Sequence, residues 1–236
     1  MNVVIQLKTM KKFCKSILEF FYKKEEAVLK ELTEADYVNK FITNADDVKI
    51  KKAYEMAWEA KNFEIENYWK RANYFWAFQV ASFAGYFSFL GSISYSNHPQ
   101  ALFAIISIGI LTAFAWALIN KGSKTWQRHW EIHVDMLEEK VTGPLYKVVT
   151  TDRTFSVSKI NEIVSRFFIL IWIVLGLKYF IDNISFIKTE TNEIDYLVII
   201  CSLSTLSFIQ AMFTGYGRGR FGKRKVRLYE RDYEVR

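Results

Sequence analysis

Between Ala72 and Asn120 the chain carries no Asp, Glu, Lys or Arg over forty-nine residues. A soluble core helix rarely runs about 20 residues without a charge, and this stretch is too long for one bilayer crossing and about right for two. Ser96-Asn97-His98-Pro99-Gln100, near its middle, has the residues of a turn. The stretch therefore reads as a helical hairpin with arms Tyr74–Tyr95 and Ala101–Asn120. Each arm is ~30–33 Å of helix, which matches the hydrocarbon thickness of a bilayer.

The averages, 51% hydrophobic and 24% charged, would suit a globular domain, but here the two classes are segregated along the chain. Seven tryptophans, thirteen tyrosines and only two prolines suit long helices with interfacial aromatics. Cys14 and Cys201 are too few for a disulfide framework and point to a reducing compartment for the polar parts. Met1–Lys8 has neither a long apolar core nor a small-residue cleavage site, so it does not read as a signal peptide.

Taken in order, Phe13, Ile17, Phe20 and Phe21 form an apolar stripe flanked by lysines, readable as an amphipathic helix on lipid or as a helix packed on a cytosolic domain. Asn44-Ala45-Asp46-Asp47 has the short acceptors and acidic charge of a helix start. From there a helix is expected to run unbroken into the first span. After the second span Ser123–Val141 continues as a helix, ended by Thr142-Gly143-Pro144-Leu145. Ser156 or Ser158 then caps the next helix. A third span starts at Phe167 and reaches Ile187 only by including Lys178 and Asp182; Tyr196–Gly217 is the fourth. The fold class is an all-α integral membrane protein with four transmembrane helices and long cytosolic helical extensions. Its parts are an N-terminal helical region (1–46), a long helix, hairpin and returning helix (47–142), a linker (143–166), a second helix pair (167–217) and a basic tail (218–236).

Placement of charge gives the topology. The segments before the first span, between the second and third, and after the fourth hold 14, 8 and 8 basic residues, whereas the two intervening loops hold none and one. The positive-inside rule puts those three segments and both termini in the cytoplasm. Lys70, Arg71, Lys121 and Lys124, with Arg218, Arg220, Lys223, Arg224 and Lys225 in the tail, are expected at the membrane surface facing anionic lipid. Nucleic acid is the lesser reading of the tail. Lys178 and Asp182, four apart, share a helical face as an intramembrane pair or an interfacial one. Ala77, Ala81 and Gly85 in the first arm, and Gly109, Ala113 and Ala117 in the second, recur every four residues, as close helix packing requires. Packing within the hairpin is the expected use, a subunit interface the alternative. Ser204, Ser207 and Thr214 share a face of the last span that lines a pore or packs on a neighbour.

Signals of chemistry are weak. Arg128 and His133 are separated by four residues, the spacing of HEPN-type ribonucleases, where paired Arg–His motifs act on the 2′-hydroxyl and the scissile phosphate. His129 and His133 stand at i, i+4, but a metal site needs further ligands and none has recognisable spacing. Gly217-Arg218-Gly219-Arg220-Phe221-Gly222 matches G-x-G-x-x-G but follows a membrane helix rather than a strand. No cofactor or metal is expected.

Three stretches together resemble the RipA family of bacterial octameric inner-membrane proteins. They are Phe63–Trp76, Asn120-Lys121-Gly122-Ser123-Lys124-Thr125-Trp126-Gln127 with Trp130-Glu131 and His133-Val134-Asp135, and Gly143-Pro144-Leu145-Tyr146-Lys147. In outline the chain is also similar to octameric membrane accessory proteins of RNA-targeting CRISPR systems. The resemblance implies a homo-oligomer that acts as a pore or scaffold in stress or phage defence. The alternatives are a membrane-tethered ribonuclease using Arg128 and His133, and an anchor or sensor that recruits a cytosolic protein.

Overall fold

A computed structural model describes residues 32–43, 45–149, 154–183, 196–214 and 217. Among these are six α-helices: α1 (Glu34–Val38), α2 (Asp47–Leu90), α3 (Ile93–Asn97), α4 (Gln100–Leu137), α5 (Val157–Asn183) and α6 (Tyr196–Phe213). A π turn, Asn39–Thr43, continues α1, and a 3-10 turn, Glu138–Lys140, follows α4. The chain divides into two units. Thr33–Gln210 holds α1 to α5 and most of α6; the other unit combines Met1–Leu32 with Ala211–Arg236. The N-terminal stripe, the loop before Tyr196 and the basic tail residues Arg218, Arg220, Lys223, Arg224 and Lys225 lie outside the described residues.

Local chemistry explains the helix ends. Asp46 is the N-cap of α2, its Oδ1 accepting the Lys49 N–H at 2.7 Å. No proline interrupts the next 44 residues, ~66 Å of helix. The first hairpin arm ends at Leu90, not at the expected Tyr95. Gly91 ends the helix, and the Ser92 hydroxyl donates to the Phe89 carbonyl at 2.7 Å, turning the chain into the short α3. Pro99 then leads into α4, which runs on as one helix to Leu137, so the second arm and the returning helix are a single element. Beyond it Gly143 takes φ +71°, a left-handed conformation that suits glycine. The buried Glu138 carboxylate holds the turn by accepting the N–H groups of Tyr146 (2.6 Å) and Lys147 (2.9 Å). Ser156 precedes α5, and its Oγ accepts from the Lys159 N–H at 3.5 Å.

Three of the described helices are long and apolar enough to cross a membrane: α4, α5 and α6. The uncharged half of α2, residues 72–90, is not among them, because its Asn, Gln, Trp, Tyr and Ser side chains lower its hydropathy without adding charge. Expectation and structure therefore agree on three spans.

Helix α4 is the centre of the larger unit and packs against both α2 and α5. In the apolar half, Tyr86, Phe103, Ile106, Ala113, Trp172 and Tyr179 form one core, joined by Val198 of α6. At the other end Tyr37, Ala57, Val134 and Leu137 form a second. The stripe Asn161, Ser165, Trp172, Gly176 and Tyr179 is the buried face of α5.

Gly109 is the close-packing point. The Trp172 indole lies flat against it, where a Cβ would overlap the ring atoms Cε2 and Cδ2. Gly109 and Ala113 are buried and Ala117 is half-buried. The first-arm stripe behaves differently. Ala77 and Ala81 are exposed, and a Cβ on Gly85 would meet nothing within 4 Å. Packing inside the hairpin uses Ala72, Gln79, Ser82 and Tyr86 instead, about a quarter turn or more away on the same helix.

Gly109→Ala is expected to destabilise the detergent-solubilised protein by about 1–3 kcal/mol, since a rigid indole must move to admit the methyl group. Gly176→Ala should be close to neutral, because its Cβ would meet only Ile106 Cγ2 at an ordinary 3.5 Å. Thermal unfolding followed by intrinsic fluorescence measures both; equal midpoint shifts would contradict this assignment.

Candidate functional site

Two polar layers cross the helices. Within the apolar half, Trp172 Nε1 donates to Gln79 Oε1 at 2.6 Å, and Gln79 Nε2 donates to Thr112 Oγ1 at 2.8 Å. Thr112 completes the chain by donating to the Ile108 carbonyl of its own helix at 2.8 Å. Gln79 is fully buried, so its amide is satisfied within the protein at both ends. Sequence reasoning passed over Gln79. The signal was present: it is a primary amide at the centre of an uncharged arm.

The second layer lies where the uncharged sequence ends. Asn161 Nδ2 donates to Tyr68 OH (2.8 Å) and to Asn120 Oδ1 (3.2 Å), and Tyr68 OH donates to the Ser158 carbonyl (3.2 Å). These contacts bind α2, α4 and the start of α5. Arg71 reaches across to α4, donating to Ser123 Oγ at 2.7 Å, and lies 3.6 Å from Glu64. Beside this layer opens a cleft of about 290 Å³. Tyr68 and Asn120 line it, with Lys121, Lys124 and Arg128 from α4 and Lys159 from α5. Its one carboxylate, Glu162, pairs with Arg166. Lys124 also donates to Gln127 at 2.9 Å. The cleft is basic and rich in donors, a setting for an anion.

The other predicted residues are dispersed. Arg128 lines the cleft, whereas His133, five positions on, turns to α1, where its Nδ1 meets Tyr37 OH at 2.8 Å. Within one subunit the Arg–His pair therefore does not converge. His129 meets His133 edge to face with ring centroids 4.8 Å apart, and among the described residues no three His, Cys, Asp or Glu side chains are grouped to hold a metal. Lys70 pairs with Glu66 at 3.4 Å on an exposed face of α2. Lys178 and Asp182 pair at 2.8 Å, also on an exposed face. Ser204 and Ser207 are exposed on α6; Thr214 donates to the Ala211 carbonyl at 3.3 Å. Gly217 donates its N–H to that same carbonyl at 3.0 Å and so closes the helix, which accounts for the first glycine of the G-x-G-x-x-G match without a nucleotide.

Below the cleft, Lys61 is buried with its ammonium 3.4 Å from the Trp58 ring centroid and 4.5 Å from that of Tyr146. Burial lowers its pKa, while Glu131 and Asp135 partly restore it. Burial pushes the Tyr37 hydroxyl up to about 12, so it stays protonated where it shares its hydrogen bond with His133 Nδ1. Burial lowers the His133 pKa, and the neighbouring His129 lowers it further.

Apolar helices that leave aliphatic and aromatic faces uncovered, continuing into a polar helical pair, define an all-helical integral membrane protein. The chain belongs to the octameric membrane protein family (8xMP), whose model matches residues 51–181, more than half of the chain. The match includes both polar layers and the whole cleft. No curated protein and no solved structure matches the chain.

The burial of His133 beside His129 gives a pH dependence. The folded state holds the His133 pKa below its unfolded value near 6.5, so the unfolded chain binds the proton first as pH falls. Stability from this residue is present above about pH 6.5 and is lost progressively below it, until the lowered folded pKa is reached. Thermal midpoints measured between about pH 7.5 and 5.5 should fall, and His133→Phe should flatten that slope. An unchanged slope in the variant would assign the effect elsewhere.

Proposed function

We propose that the chain is the protomer of a RipA-like homo-octamer in the bacterial inner membrane, with four spans and cytoplasmic termini, acting as a pore or scaffold in stress or phage defence. The observation that carries the assembly is the outward direction of the Ala77, Ala81 and Gly85 face. Small residues on a membrane helix allow close approach of another helix, and among the described residues no helix of the same subunit uses this face. Membership of a family named for octamers supports the same reading.

The remaining span, first in chain order, is residues 72–90 of α2. Their lower hydropathy is compatible with a span because they carry no charge and pack beside the most apolar part of α4. Topology rests on the positive-inside rule: all basic residues but Lys178 and Lys188 fall in the three segments assigned to the cytoplasm. Exposed Ser204 and Ser207 on an uncharged helix suit a lumen or a subunit contact. The ribonuclease reading has less support, since Arg128 and His133 face different surroundings.

Native mass spectrometry of the protein in detergent should give an octamer. Ala77→Leu combined with Ala81→Leu should reduce it to smaller species while leaving helicity unchanged. A monomeric wild type would overturn the assembly, and an intact octamer in the double variant would overturn the role of this face. Dye or ion flux from liposomes containing verified octamers distinguishes pore from scaffold: release supports the pore, and sealed vesicles support the scaffold.

A further inference from the structure

The cleft beside the second polar layer holds more than its structural role requires. Tyr68, Asn161 and Asn120 Oδ1 satisfy one another, but Asn120 Nδ2 does not share in this. Among the described residues it is a buried donor with no hydrogen-bond partner, on a residue only 4% exposed that lines the cleft. An orphaned buried amide N–H is costly unless something accepts from it.

The groups around it all favour the same kind of acceptor. Lys121, Lys124 and Arg128 follow at i, i+3 and i+7 on α4, one side of that helix, and all three line the cleft. Lys159 faces them from the first turn of α5. Helix α5 is 27 residues long and begins at the cleft wall, so its positive end and first-turn amides add to the field. Against four cations stands one carboxylate, Glu162, already paired with Arg166. Among the described residues, Lys121, Arg128 and Lys159 have no ion-pair partner.

We propose that this cleft binds the phosphate group of an anionic ligand, with Asn120 Nδ2 as the buried donor at its base and Arg128 and Lys159 closing on the phosphate from opposite walls. The volume of about 290 Å³ leaves room for a phosphate and part of the group it esterifies. A lipid headgroup and a soluble phosphate share this chemistry. The site is built within one subunit, so it does not depend on the octamer or on the topology proposed above.

The test uses the full chain in neutral detergent and phosphate-free buffer of constant ionic strength. Binding of phosphatidylglycerol, against phosphatidylcholine, is read by native mass spectrometry, and binding of inorganic pyrophosphate by calorimetry. The cleft variant is Arg128→Gln with Lys159→Gln. Its charge-matched control is Lys49→Gln with Lys52→Gln, on exposed positions of α2 outside the cleft. Asn120→Asp keeps the acceptor for Asn161 and sets a negative charge at the base. Wild type should bind at least one probe, and each cleft variant should weaken that binding about tenfold or more, as expected for loss of charge-assisted hydrogen bonds. The control should stay within about twofold. Loss confined to phosphatidylglycerol assigns a lipid headgroup, and loss confined to pyrophosphate assigns a soluble phosphate. Circular dichroism and oligomeric state confirm that each variant folds. If folded cleft variants bind both probes like the control, or wild type binds neither, the proposal is overturned.

Discussion

The hydrogen bond from Trp172 to Gln79 sets the arrangement of the three long helices. Between helices in lipid there is no hydrophobic driving force, because a leucine is as well solvated by acyl chains as by another leucine. Close packing and hydrogen bonds must then select one arrangement. The absence of a side chain at Gly109 admits the Trp172 ring, and the ring's N–H meets Gln79 from α2. Thr112 on α4 takes the other end of the same amide. Sliding or rotating any of the three helices by one residue would leave a buried amide or indole N–H unpaired. In a membrane protein such pairs are worth about 0.6 kcal/mol on average and up to about 1.7, so their weight lies in selecting the register rather than in bulk stability.

The second layer works under different conditions. At Tyr68, Asn120 and Asn161 the uncharged sequence is giving way to Lys121, Lys124 and Arg128, and water and charge are close at hand. Here amides and a phenol join the helices, and below them an ordinary aromatic core returns around Tyr37, Ala57, Val134 and Leu137. The helical pair is thus fastened at three levels: an apolar packing point, a polar junction and a second core. Because α2 and α4 are each continuous through all three, a displacement at one level is carried along stiff rods to the others. A ligand at the junction would be placed to bias the helices on both sides of it.

Outward faces complement this interior. Exposed Trp76, Phe78, Val80 and Phe87 accompany Ala77 and Ala81 on α2, and Leu170, Ile173, Val174 and Leu177 are uncovered on α5. So much uncovered apolar surface suits lipid or further copies of the chain. The small residues on α2 differ from the rest of it in what they permit: two backbones can approach there, whereas bulky faces hold neighbours apart.

Several features were legible from local chemistry alone. Asp46 and Asp47 mark a helix start, the lack of a proline lets α2 run on to Gly91, Gly143 ends the returning segment, and Ser156 caps α5. These depend on neighbours within a few residues, so the sequence by itself determined them. The absence of charge over Ala72–Asn120 likewise determined that the middle of the chain avoids water. What the sequence could not decide was rotation. Every face of residues 72–90 is uncharged, so periodicity does not distinguish the Ala77–Ala81–Gly85 face from the Gln79–Ser82–Tyr86 face. The tertiary structure chose the second because Trp172 and Thr112 lie there to satisfy Gln79. Likewise, Arg128 and His133 look paired in sequence, but a step of five along a helix turns them well over a quarter circle apart. Only packing against α1 and α5 then revealed that one faces a phenol and the other a basic cleft.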